Sequence, residues 1–69
     1  MRKKKHDRYY AIQAYQILAK MTDQEVATAL GVSLRTYKDK ISGYSDFTSA
    51  QGKKLSQLFS VSQDEIFLT

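Results

Sequence analysis

The chain has 69 residues, a net charge of +4, and neither cysteine nor proline. A chain this short buries only about 60% of its unfolded surface, which leaves little room for an enclosed catalytic pocket. The missing cysteine excludes disulfides and thiolate–zinc sites.

No run approaches the ~18 consecutive apolar residues of a membrane span. The basic start "MRKKKHDR" is not followed by the apolar stretch of a secretory leader, so a cytoplasmic location is the expectation. Arg2, Lys3, Lys4, Lys5 and Arg8 against Asp7 account for the whole net charge, and from residue 9 onward the charges cancel. Residues 1–6 read as a basic arm, expected to be disordered without DNA, ahead of a single domain over 7–69. Such an arm either holds phosphates, which makes binding salt-dependent, or is a solvated terminus.

The first helix is expected over about 7–20. Ala14, Ile17, Leu18 and Met21 recur at helical spacing and predict its buried face. The next starts share one device. Thr22 precedes Glu25 by three residues, as Thr48 does Gln51 and Ser62 does Glu65. Each is a capping box, in which the hydroxyl accepts from the N–H three residues on and the Glu or Gln reaches back. They predict helices over 23–30, 49–58 and 63–67. Ser33, a cap without the reciprocal acid, starts a helix over 34–42. Gly31 and Gly43 follow helix ends and suit the left-handed conformation found there.

The reading is all-α: five short helices with no sheet. Val26, Ala27, Leu30, Val32, Tyr37, Ile41, Phe47, Leu55, Leu58, Phe59, Val61 and Ile66 complete the expected core. The apolar end at Phe67 and Leu68 is the expected dimer surface.

In the segment "TDQEVATALGVSLRTYKDKISG", one helix buries Val26, Ala27 and Leu30, and Gly31 turns the chain. Val32 fills the corner, Ser33 restarts a helix, and that helix buries Tyr37 and Ile41. Two helices joined steeply by a short glycine turn form a helix-turn-helix. Ala27, Leu30, Gly31, Val32, Ser33, Tyr37, Ile41 and Gly43 resemble the helix-turn-helix of the lambda-repressor-like (Cro/repressor, XRE-type) family of phage and bacterial regulators. "FTSAQGKKLSQLFSVSQDEIF" resembles that family's last two helices, so the likeness covers about residues 17–68.

The resemblance implies a compact five-helix DNA-binding domain. It also implies a homodimer on a near-palindromic operator in double-stranded DNA, with the helix over 34–42 in the major groove. Carried over by position, Ser33, Leu34, Arg35, Lys38 and Asp39 face base edges. Gln24, Lys40, Ser42, Tyr44, Ser45, Thr48 and Ser49 face the sugar–phosphate backbone, and Arg2, Lys3, Lys4 and Lys5 resemble a basic arm. Arg35 can donate twice to guanine, Leu34 can cover a thymine methyl, and Asp39 can accept from cytosine. Leu34 is equally a protein contact, and Asp39 equally an intrahelical ion-pair partner of Arg35.

Asp23 departs from the family, which commonly has a phosphate-touching glutamine there; Gln24 is the nearest substitute. The competing reading is a protein-interaction module, an antirepressor or adaptor, which the charge-neutral body favours. His6 stands alone, so no metal site is expected. Asp64 and Glu65 serve a cap and a helix dipole, not an acid–base pair. No enzyme activity, cofactor or small-molecule ligand is expected.

Overall fold

N-caps decide where these helices begin. In a computed structural model that describes residues 3–67, the five helices are α1 (Tyr10–Leu18), α2 (Asp23–Leu30), α3 (Leu34–Ser42), α4 (Ser49–Phe59) and α5 (Gln63–Ile66). No strand occurs among the described residues. Thr22 and Thr48 form complete capping boxes with Glu25 and Gln51. The Ser33 hydroxyl accepts from the Thr36 N–H at 3.1 Å. Ser62 caps α5 through the Glu65 N–H at 3.3 Å. The reciprocal half expected there is replaced, because the Glu65 carboxylate accepts from the Tyr15 hydroxyl at 3.0 Å and so ties α1 to α5.

The core is built from all five helices: Ile12, Val26, Ala27, Leu30, Tyr37, Ile41, Leu55 and Ile66 are buried together. Tyr9, Met21, Val32, Phe47, Phe59, Val61 and Phe67 pack against them. Helix α2 packs on α3 and α4, and α5 packs on α4 and α1. The radius of gyration, 11.0 Å, matches the ~11 Å of a packed domain this long.

Helix α1 corrects the expected core. Its buried residues are Ile12 and Gln16, whereas Ala14, Ile17 and Leu18 are exposed. The helix is apolar nearly all round, so periodicity favoured its more aliphatic stripe. Docking is instead decided by Gln16, whose amide has partners on two other helices. Leu58 also lies at the surface, while Leu55 one turn earlier fills the interior. Phe67, expected on a dimer surface, is folded inward. Its ring centroid lies 5.2 Å from that of Tyr9 and 5.9 Å from that of Phe47. Leu68 lies outside the described residues.

Helix α1 is also shorter than expected, because residues 5–9 have another use. The last carbonyls of a helix lack intrahelical donors, and the chain ahead of α1 supplies them to α3. The Tyr9 N–H donates to the Ile41 carbonyl at 3.0 Å. The Lys5 and His6 N–H groups donate to the Gly43 carbonyl at 2.6 and 3.3 Å. His6 stacks on Tyr9 with ring centroids 4.1 Å apart. Its Nε2 lies 2.9 Å from the Ser45 carbonyl oxygen and 3.6 Å from the Asp46 carboxylate. Lys5 and His6, at the end of the expected arm, thus join the folded body as a strap across the end of α3.

Candidate nucleic-acid interface

The turn between α2 and α3 is rigidly specified. Gly31 has φ +75°, a conformation that strains any residue with a Cβ. Its N–H donates to the Thr28 carbonyl at 3.1 Å, and the Val32 N–H donates to the Ala27 carbonyl at 3.0 Å. These paired bonds are a Schellman closure, which satisfies two orphan carbonyls of α2. One residue later Ser33 caps α3, so three residues turn the chain from one helix to the next. Tyr37 and Ile41 then anchor the inward face of α3.

That anchoring sets what α3 presents outward. At ~100° per residue, Arg35, Lys38, Asp39 and Ser42 share the face away from Tyr37 and Ile41. Arg35 and Lys38 are exposed, and neither enters a hydrogen bond or ion pair among the described residues. Leu34 is half-buried at the edge of this face.

The remaining expected contacts divide into separate groups. Ser33 is exposed, but its hydroxyl is committed to Thr36. Gln24 is exposed and donates to the Thr28 hydroxyl at 3.2 Å. Thr48 and Ser49 are exposed at the start of α4. There the capping box already uses the Thr48 and Gln51 N–H groups, which leaves the first turn's other donors outward. Lys40 does not join Arg35 and Lys38. Its ammonium donates to the Asp46 carbonyl at 2.6 Å and lies 5.8 Å from the Phe47 ring centroid, fastening the α3–α4 loop. Ser45 contributes its carbonyl to His6, and Lys4 lies over the Tyr44 ring at 5.8 Å. Lys3 and Lys5 are exposed, and Arg2 lies outside the described residues.

Where α3 meets the starts of α1 and α2 there is a cleft of about 260 Å³, lined by Arg8, Gln13, Asp23, Tyr37, Lys38, Ile41 and Ser42. Arg8 belongs to the basic start of the chain. It donates through Nε to Gln13 at 3.0 Å and through Nη1 to Ser42 at 3.4 Å. The guanidinium is therefore held beside the outward face of α3. Nothing in the sequence signals this, because Arg8 and Ser42 are far apart along the chain.

Behind the cleft runs a buried relay. The Tyr37 hydroxyl donates to Gln16 Oε1 at 2.6 Å, and Gln16 Nε2 donates to Asp23 Oδ1 at 2.7 Å. It joins α3, α1 and α2 and gives Asp23 a structural use. No buried side-chain nitrogen or oxygen among the described residues lacks a partner.

The Tyr37 phenol is pushed well above its ordinary range, first by burial and then by the negative charge of Asp23. The folded state therefore holds this proton more tightly than the unfolded state. The associated stability is intact below about pH 10, where a free tyrosine titrates, and is lost as the pH rises beyond it. Tyr37→Phe is expected to flatten the alkaline slope of stability, as measured by urea unfolding from pH 9 to 11. A slope unchanged in the variant would show that Tyr37 does not control it.

No group of three or more potential metal ligands occurs among the described residues, and no helix there is long and apolar enough to cross a membrane. No family model, curated protein or solved structure matches this chain.

Proposed function

We propose that this chain is a sequence-specific DNA-binding regulator of the lambda-repressor-like helix-turn-helix type, acting as a dimer on a near-palindromic operator. The observation that carries the reading is the outward face of α3. Arg35 and Lys38 stand exposed and uncommitted beside Asp39 and Ser42, behind a turn closed at Gly31 and capped at Ser33. A major groove about 12 Å wide accepts one such helix. Arg35 is the candidate for guanine, and Lys38 for guanine or phosphate. Arg8, fastened to Ser42, adds a cation beside them. Gln24 and the start of α4 are the candidates for backbone phosphates. Asp23, engaged by Gln16, takes no part in phosphate contact.

Selection from a randomised duplex pool at two salt concentrations tests the reading. A dyad sequence should be enriched, its half-sites about 34 Å apart or a multiple of that, and affinity should fall steeply as salt rises. Arg35→Ala should cost roughly 1–3 kcal/mol of binding and relax preference at one base pair per half-site. Failure to enrich any sequence would favour the protein-interaction module, to which the charge-neutral body from residue 9 onward is suited.

A further inference from the structure

The exposed stripe of α1 has no partner among the described residues. Tyr10 is 64% exposed, Ile17 73% and Leu18 77%, and Ala14 lies between them. Their spacing puts all four on one side of the helix, opposite the buried Ile12 and Gln16. Residues 9–19, YYAIQAYQILA, contain no charged side chain, in a chain that is 26% charged. Arg8, half-buried, and Lys20, exposed, flank this run, with the exposed Asp7 one residue further out.

We propose that this stripe is the homodimer interface: two α1 helices pack antiparallel about a twofold axis near Ala14. The inference rests on the dimer part of the functional reading and does not depend on the DNA part. A twofold interface sets a surface against itself, so any charge near the axis meets its own copy. The stripe carries none. At its ends the antiparallel arrangement sets Lys20 of one copy toward Asp7 and Arg8 of the other, whose charges cancel.

Ala14 is small enough for the helix axes to approach to the ~8 Å of close-packed pairs, with Tyr10, Ile17 and Leu18 filling either side. Those three side chains expose roughly 400 Å² per copy. That is about half of the ~800 Å² each partner contributes to a standard interface. At the other end of the described residues, Phe67 is packed over Gly52 and against Tyr9.

The absence of native cysteine makes a clean test. Ala14→Cys and, as a control on exposed α4, Lys53→Cys are oxidised at equal concentration without DNA. Ala14→Cys should form a covalent dimer many times faster, and urea should remove the difference. The double variant Ile17→Glu/Leu18→Glu changes only exposed positions, and circular dichroism checks its fold. By sedimentation equilibrium its dimer should be weaker than the parent's by at least about tenfold.

Equal oxidation rates, a dimer untouched by the double variant, or a parent that stays monomeric throughout would each overturn the interface. Enrichment of a dyad sequence without preferential Ala14→Cys cross-linking would remove this interface and leave the DNA reading standing. Cross-linking without any enriched sequence would do the reverse.

Discussion

Tyr37→Ala is expected to destabilise the protein by about 3–5 kcal/mol, a large share of the roughly 3–10 kcal/mol available to a domain this size. Tyr37 is 1% exposed and among the largest fully buried side chains. Its ring meets Phe47 edge-on with centroids 6.4 Å apart, and its hydroxyl closes the relay through Gln16 to Asp23. Two losses are therefore combined in the alanine variant, a cavity and a broken hydrogen bond. Tyr37→Phe separates them. It keeps the ring and leaves Gln16 Oε1 without its donor, which should cost about 1–3 kcal/mol. Urea unfolding of both variants gives the two contributions. A phenylalanine variant as stable as the parent would mean that the relay contributes nothing net, and that α3 is oriented by apolar packing alone.

Gly43→Ala is expected to cost about 2–4 kcal/mol, from two independent sources. Gly43 has φ +105°, so a Cβ there strains the backbone, and that Cβ would lie 2.0 Å from the His6 carbonyl oxygen. The obstacle is main chain and cannot swing aside as a side-chain tip does; the strap must lift. Removing residues 1–6 from the alanine variant should recover the steric part and leave only the backbone strain of about 1–2 kcal/mol. A double-mutant cycle measures the coupling, and zero coupling would show that the strap does not press on Gly43. Gly31 provides the contrast. Nothing lies within 4 Å of a Cβ there, so Gly31→Ala should lose only the backbone part.

The comparison of these glycines separates what is local from what is not. Both follow a capped helix, and both positive φ angles were legible from that placement alone. The close approach of His6 to one of them was not, because it depends on a strap that crosses the end of α3 from residues about 37 positions away. The candidate interface divides similarly. Arg35 and Lys38 were readable as outward-facing once Tyr37 and Ile41 were assigned inward. Arg8 beside Ser42, Lys40 turned into the α3–α4 loop and Asp23 held by Gln16 were not readable. Each is decided by a partner on another element.

By itself, then, the amino-acid sequence determined the five helices, three of their four hydroxyl caps in full, the turn at Gly31 and the outward face of α3. All of these follow from chemistry within about four residues, where hydroxyls meet backbone N–H groups and glycine tolerates positive φ. Only the tertiary structure decided which side of α1 is buried. Ala14, Ile17 and Leu18 form the more aliphatic stripe, yet Gln16 is the side chain paired with Tyr37 and Asp23, and Ile12 is buried on the same side. A helix apolar on two sides carries no local signal for choosing between them. The choice comes from partners on α2 and α3, and it leaves the aliphatic stripe facing outward.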